Sequence, residues 1–416
     1  MKERLLDLIA CPQCKSRFGV KAAVVEKREY APEWRDRVCS FWASHRHGGD
    51  QLDPDRLWQS YCTEIVAGSL VCTACGVEYA IEGGVPRILD PALRTTAGGM
   101  GRGRPTTDTR IDQQMDEIAP VPKDTSRELF DQIQLANQSN YGYEWKAFKH
   151  QYDQWETVYK ESYVAEDDAY FGGRLGLDAG CGMGRYSLVP VQKGAEVVGV
   201  DLSNAIEAAY EKAREIPTFH AIQGDIFNLP FTENYFDFAQ SLGVIHITPD
   251  PEGALRSILN AVRPNGKVFL MVYQTFEDEN LLKHSLLKVV NFMRRLTVRL
   301  PSNVLYTLLY FMVPVVLVTC YFPSWILWHL GLRSLATALP YNYKQYGRRR
   351  FRDIHMNLFD RFGNPVERRY NRKQMEAWMT SAGFQSYELR AADGWMVAGV
   401  KPQSEAAPAE SLSCVG

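Results

Sequence analysis

Net charge of either sign is what this sequence has least of. Its 47 Lys and Arg residues nearly cancel 49 Asp and Glu, leaving −2 at pH 7 over 416 residues. No global basic field is present, which excludes a chain that meets nucleic acid through its overall charge, though not one with a local patch. An export signal is not expected either, because MKERLLDLIACPQC puts charge inside its short apolar run. The nine cysteines are an odd count, and without export they are expected as metal ligands and free thiols rather than disulfides. A cytoplasmic protein is the expectation. At 45% hydrophobic and 23% charged residues the chain is ordinary globular material, long enough for two or three domains.

Against that background one stretch stands out. Leu175 to Ser187 reads LGLDAGCGMGRYS: a short apolar run ending at Asp178, then Gly180, Gly182 and Gly184 in alternation, then a helix-like stretch from Arg185. Strand, tight glycine turn and helix start are how an α/β sheet makes a nucleotide-sized site. The dinucleotide fingerprint would need glycine at 185, where Arg185 stands. An acid at Asp178 suits a ligand carrying positive charge, such as the ammonium and sulfonium of S-adenosylmethionine. DAGCGMGR resembles the first motif of the class I S-adenosylmethionine-dependent methyltransferases.

Further pieces follow in order. Glu196 to Val200 is an apolar strand ending at Asp201, expected to take both ribose hydroxyls. Gln223-Gly224-Asp225-Ile226 follows a third strand, and the resemblance implies that Asp225 meets the adenine amino group. Phe236 to Gln240 leads into Ser241-Leu242-Gly243-Val244-Ile245-His246, and Val268 to Val272 is a fifth strand after the Pro264–Gly266 turn. Ala179, Leu202, Ile226 and Ser241 flank these positions and belong to the same expected cofactor set. Helical stretches at 185–193, 203–214 and 251–262 alternate with the strands, which implies a doubly wound parallel sheet. The resemblance implies an α/β, Rossmann-like, seven-stranded methyltransferase sheet, closed by Ser386 to Arg390 and an antiparallel Trp395 to Val400. Asn371 to Ala382, with Gly383 as its cap, is the preceding helix.

Residues 1–92 read as a separate module. Cys11-Pro12-Gln13-Cys14 and Cys72-Thr73-Ala74-Cys75-Gly76 are two knuckle-like pairs whose four thiolates could share one structural zinc. With the following GGVPRIL, the module resembles the zinc-ribbon family of tRNA-methyltransferase activators. The pairs are farther apart than usual, so an insertion is expected at about 29–65. Within it Cys39, His45, His47 and Cys62 could form a second site, but their irregular spacing favours a surface loop. Residues 93–125 have linker composition. The methyltransferase domain is expected over 126–401, with a disordered tail at 402–416. Its lead-in, QSNYGYEW at 138–145, resembles the aromatic segment of some zinc-ribbon methyltransferases, which makes Tyr143 and Trp145 candidates for the cofactor wall.

Residues 276–345 interrupt the α/β pattern. Val304 to Leu332 holds no Asp, Glu, Lys or Arg, a membrane-span composition. Strands on both sides of it belong to one sheet, so a single crossing is excluded, and Pro314 and Pro323 are expected to break the run into short helices. A helical cap with its apolar face inward is the preferred reading. The alternative is a segment in the membrane interface, anchored by Trp325 and Trp328, with Arg294, Arg295, Arg333 and Arg348 to Arg350 facing phosphates.

For chemistry, His246 lies just past the fourth strand and is the first candidate base; His355 and Tyr370, with Asp360 and Glu367, fall in the segment returning from the insertion. The fourth-strand loop lacks the N-P-P-Y tetrad of adenine and glutamine-amide methyltransferases and is similar to the small-molecule and quinone branch. The expected function is methyl transfer to a small or amphipathic, lipid-like acceptor, with peripheral membrane contact through 304–332. The alternatives are an RNA methyltransferase using its ribbon on RNA, which the neutral charge disfavours, and a cofactor-binding scaffold whose ribbon recruits a partner. Oligomeric state is not legible.

Overall fold

Near-continuous apolar runs become central strands when helices cover both sheet faces. LGLDA, EVVGVD, FHAIQG and FDFAQSL are of this kind, and nearly all their residues are buried. The computed structural model describes residues 1–44, 53–93, 127–148, 155–164, 166–277, 281–346, 350–364, 366–392 and 394–403. The expected linker beyond residue 93, the tail beyond 403, and His45 and His47 of the second metal hypothesis lie outside the described residues.

The strands are β1 Phe18–Lys27, β2 Thr63–Cys72, β3 Glu78–Glu82, β4 Val85–Ile88, β5 Leu175–Ala179, β6 Glu196–Asp201, β7 Phe219–Gly224, β8 Phe236–Leu242, β9 Val262–Val272, β10 Ser386–Ala391 and β11 Trp395–Val400. They form one sheet in the order β1-β2-β3-β4-β7-β6-β5-β8-β9-β11-β10. Strands β5 to β9 are parallel, and β11 runs antiparallel to β9. Seven strands, β5 to β11, make the expected methyltransferase sheet. The sequence reading treated the N-terminal module as separate, whereas its four strands extend the same sheet. The joint is β4, which pairs parallel with β7 through Arg87 with Gln223 and Ile88 with Gly224.

The helices used below are α1 Pro32–Ser44, α2 Pro54–Cys62, α3 Arg127–Ala147, α4 Ile206–Glu215, α5 Pro251–Ala261, α6 Leu281–Thr297, α7 Ser302–Val316, α8 Phe322–His329, α9 Arg350–Gly363 and α10 Arg372–Ser381. Between the two cysteine pairs the chain inserts α1 and α2, joined to β2 at Thr63. Helix α10 opens with a capping box: Asn371 Oδ1 accepts from the Gln374 N–H, and Gln374 Oε1 accepts from the Asn371 N–H. Gly383 follows at φ +74°.

The apolar insertion departs from expectation twice. Pro314 and Pro323 do not break it: α7 and α8 join through a π-helical turn, Leu317–Tyr321, into a continuous helical run from Ser302 to His329. Each proline lacks one N–H donor, and the i→i+5 turn between them re-registers the ladder. Nor does the apolar face turn inward, since only 22% of the run's most apolar window is buried. Leu305, Leu309 and Val313 pack onto α9; the opposite side faces outward.

Module and domain also meet through buried charge. Arg4 donates from Nε and Nη2 to the two Glu196 oxygens at 3.3 Å each, Tyr61 donates to Glu196 Oε1 at 2.8 Å, and His220 Nε2 lies 2.9 Å from it. Despite its burial, the adjacent Arg4 guanidinium and His220 hold the Glu196 carboxyl down at about 2. Removing one member strands a desolvated charge. Glu196→Ala is therefore expected to cost about 3–5 kcal/mol, read as a lower urea midpoint in equilibrium unfolding followed by circular dichroism.

Candidate active site and metal centre

The carboxyl ends of β5 to β9 open onto one cavity. At the end of β5, Gly180, Gly182 and Gly184 adopt φ of +85°, +54° and +76°, the left-handed region that glycine enters without penalty. A Cβ on Gly180 would stand 2.4 Å from Val244, so this turn also needs the missing side chain for space. Asp201 ties the turn to the next strand: Oδ2 accepts from the Gly182 N–H at 2.8 Å, and Oδ1 from the Ser203 N–H at 2.8 Å and hydroxyl at 2.6 Å. At the end of β7, Asp225 accepts from Gln134 Nε2 and the Phe227 N–H, both at 3.0 Å.

Of the expected cofactor set, Gly180, Gly182, Asp201, Leu202, Asp225, Ile226 and Trp145 line the cavity together. Trp145 lies against the glycine turn, with the Arg185 guanidinium 4.9 Å from its ring. The others stand behind the wall. Asp178 is buried and accepts from Ser187 Oγ at 2.6 Å and Gln240 Nε2 at 2.9 Å, its carboxyl pushed up to about 6 by burial. It braces the turn where the sequence reading had it face a cationic ligand. Ser241 Oγ donates to the Ala179 carbonyl at 2.8 Å, so this pair also supports from beneath. Gly184 packs against Phe219, and Tyr143 stacks on Phe359 at 5.6 Å in a separate aromatic cluster.

The candidate bases do not reach the cavity. His246 is fully buried, its ring tilted 45° to that of Tyr273 with centroids 4.2 Å apart, and neither ring nitrogen has a hydrogen-bond partner. Burial holds its pKa down at about 3. His355 Nε2 lies 2.9 Å from the Tyr306 carbonyl on the side of α9 facing α7, and Tyr370 stacks on Trp378 at 5.2 Å. Glu367 is buried between Arg294 and Arg369. Among the residues the sequence grouped with these, Asp360 alone lines the cavity.

Sequence reasoning missed most of the groups that do face this end. Gln134, Asn137, Gln138, Tyr141 and Glu144 share one face of α3 with the expected Trp145, and that face is laid over the cavity. Glu144 is 2% exposed, its Oε2 has no hydrogen-bond partner, and burial together with Asp360 raises its pKa well above the usual carboxylate value. Asp360 is raised too, chiefly by burial, while accepting from Tyr273 Oη at 2.7 Å and Asn364 Nδ2 at 3.1 Å. The signal was available as polar residues at helical spacing inside QSNYGYEW and just before it. What the sequence withheld was which way that face turns.

Two families match. Residues 177–270 fit the family described as a methyltransferase domain, and residues 2–84 the family of Trm112p-like proteins. The chain carries a class I S-adenosylmethionine-dependent methyltransferase domain. It is joined in one polypeptide to a Trm112p-like domain. A demethylmenaquinone methyltransferase of Staphylococcus haemolyticus is 31% identical over 100 residues, 23% of this chain and 42% of the relative. A tRNA (carboxymethyluridine(34)-5-O)-methyltransferase of Saccharomyces cerevisiae is 32% identical over 102 residues, 24% of this chain and 35% of the relative. The chain thus spans less than half the length of these curated relatives. A Thermotoga maritima S-adenosylmethionine-dependent methyltransferase structure, 15% identical, covers 62% of this chain and 99% of its own at a TM-score of 0.33.

In the Trm112p-like domain, Cys11, Cys14, Cys72 and Cys75 bring their sulfurs within 4.8 Å of one another. The Cys11–Cys75 and Cys14–Cys72 distances are 3.7 and 3.4 Å, close to the ~3.8 Å edge of a tetrahedron with zinc–sulfur bonds of about 2.3 Å. Gly76, at φ +74°, makes the turn, and the Cys75 N–H points at Cys72 Sγ from 3.5 Å. The donor set therefore fits one structural zinc. Elemental analysis of the purified chain is expected to give one zinc per molecule, and none after Cys72→Ser with Cys75→Ser.

His246 supplies a pH prediction. The unfolded chain protonates this ring below about 6.5, whereas the folded one resists down to about 3. Stability is present above pH 6.5 and lost as pH falls, by about 1.4 kcal/mol per unit. His246→Phe should shift acid unfolding to lower pH, and leave S-adenosylmethionine affinity within a few-fold by calorimetry.

Proposed function

We propose that the cavity binds S-adenosylmethionine along β5–β7 and a small or amphipathic acceptor along β8–β9, and that Glu144 takes the acceptor's proton. One observation carries this reading. The glycine turn, Asp201 and Asp225 belong to the β5–β7 part of the sheet edge and Leu242 to Val244, Met271 and Tyr273 to the β8–β9 part, and Glu144 and Asp360 line the same cavity. Asp201 and Asp225 would hold the ribose hydroxyls and the adenine amino group, and Trp145 would wall the cofactor. When bound, S-adenosylmethionine supplies a methyl group already activated by its sulfonium, so alignment does most of the work.

Glu144 suits the remaining task. A desolvated carboxyl with a raised pKa is a better base near neutral pH than an exposed one. Its unpartnered Oε2 can accept a hydroxyl or acidic carbon proton as the methyl group transfers. Tyr273, held by Asp360, and Tyr141 offer polar contacts beside Met271 and Met356. A mostly uncharged acceptor with one acidic proton fits this lining. A tRNA acceptor is the second reading, supported by the yeast relative's name and the Trm112p-like domain.

Two variants should separate the halves. Asp201→Ala is expected to weaken S-adenosylmethionine binding tenfold to a hundredfold, through loss of hydrogen bonds worth about 1.5–3 kcal/mol. Glu144→Gln should keep that affinity within a few-fold and slow transfer on the order of 10²–10⁴-fold. Labelled methyl incorporation into cell extract, split into lipid, small polar and RNA pools, identifies the acceptor class. Label in RNA alone would favour the second reading.

A further inference from the structure

The outward side of the α7–α8 run is a stripe. Leu308, Phe311, Val315, Val318, Phe322 and Trp325 recur at spacings of three and four, and all are exposed, Phe311 by 69%. Residues at this spacing stack on one face of a helix, and the stripe is about 25 Å long at ~1.5 Å per residue. Helix α6 adds Phe292 and Leu296, exposed by 66% and 65%. Isolated surface apolars are ordinary; a contiguous band of this length is not.

Charge around the band has one sign. From Leu281 to Arg352 the sequence holds eleven Lys and Arg residues and no Asp or Glu, in a chain whose net charge is −2. Lys288, Arg295, Arg299, Arg333 and Lys344 are exposed, and the Arg333 guanidinium lies 5.4 Å from the Trp328 ring. Of the expected phosphate-facing set, Arg295 and Arg333 are exposed, Arg294 is buried and donates to the Asn364 carbonyl at 2.8 Å, and the side chains of Arg348 to Arg350 lie outside those described.

We propose that this face docks on a lipid bilayer bearing anionic headgroups, with the α7–α8 run lying in the plane of the interface. Topology excludes a single crossing, because β9 before the run and β11 after it are hydrogen-bonded neighbours, Val272 opposite Trp395. The other long helix of the insertion, α6, carries Lys288, Arg294 and Arg295 within its length and does not supply a return span. An apolar stripe flanked by Lys and Arg, with Trp beside it, is the composition that partitions into the headgroup boundary. A second copy is the poorer occupant, since two such faces would bring like-charged rims together. The docking does not depend on which acceptor the cavity takes. It would nonetheless bring the bilayer close to it: α7 packs on α9, which lines the cavity through Met356, Asn357 and Asp360.

Flotation of the full chain with vesicles tests the proposal. Vesicles of phosphatidylglycerol and phosphatidylcholine should carry the protein up the gradient, phosphatidylcholine alone far less, and 0.5 M salt should weaken the difference. The variant Leu308→Asp, Phe311→Asp, Val315→Asp changes side chains already in solvent, so its circular dichroism and S-adenosylmethionine affinity should stay as in the parent. Its floated fraction should fall at least tenfold. No flotation of the parent on anionic vesicles, or equal flotation of the variant, overturns the proposal. So does a concentration-dependent dimer in sedimentation that the variant abolishes while neither protein binds vesicles, an outcome that assigns the face to a second copy.

Discussion

The pairing of β4 with β7 is the constraint on which the rest hangs. Only two residue pairs make it, Arg87 with Gln223 and Ile88 with Gly224. Yet it converts an edge strand of the methyltransferase sheet into an interior one, and covered edges are what keep sheets from pairing elsewhere. Asp225 follows immediately after the paired residues, so the joint also fixes where that carboxylate enters the cavity. The buried Arg4–Glu196–Tyr61–His220 cluster reinforces the same junction from the other end of the strands. Each charge in this network is costly if left without its partner, so a docking that breaks the cluster is penalised.

Helix α3 carries the junction into the site. Gln138 Nε2 donates to the Leu202 carbonyl at 2.9 Å and reaches the Leu93 carbonyl at 3.4 Å. It thereby ties the end of the N-terminal module to the residue after Asp201. Gln134, one turn earlier, holds Asp225; Glu144, further along the same face, lines the same cavity. The Trm112p-like domain in the same chain thus reaches the site through the β4–β7 joint and through α3, and among its described residues none lines the cavity.

How much of this was legible follows from the kind of information each feature carries. The glycine turn, Asp201 and Asp225 were readable because local chemistry demands them: positive φ at Gly180 and Gly182, and acids at strand ends. The four cysteines were readable across a long insertion because a pair with a two-residue gap is a local device. Three things were not. Asp178, Ala179 and Ser241 sit in the right motif, but whether a motif residue faces ligand or framework depends on strand twist. Glu144 was passed over in favour of the histidines, because its place in the cavity comes from a helix folding over the sheet edge. The apolar run was read as an inward cap, since hydropathy reports how apolar a face is and not where it points.

The central claim is that one cavity along the sheet edge, roofed by α3, holds S-adenosylmethionine. Amide hydrogen exchange with and without S-adenosylhomocysteine reads it segment by segment in the intact chain. Added ligand should slow exchange in 134–145, 180–186, 201–203 and 225–227 together, and leave 302–329 unchanged. Unaltered exchange in 134–145 at saturating ligand would remove α3, and Glu144 with it, from the site; unaltered exchange in all four segments would contradict the account outright.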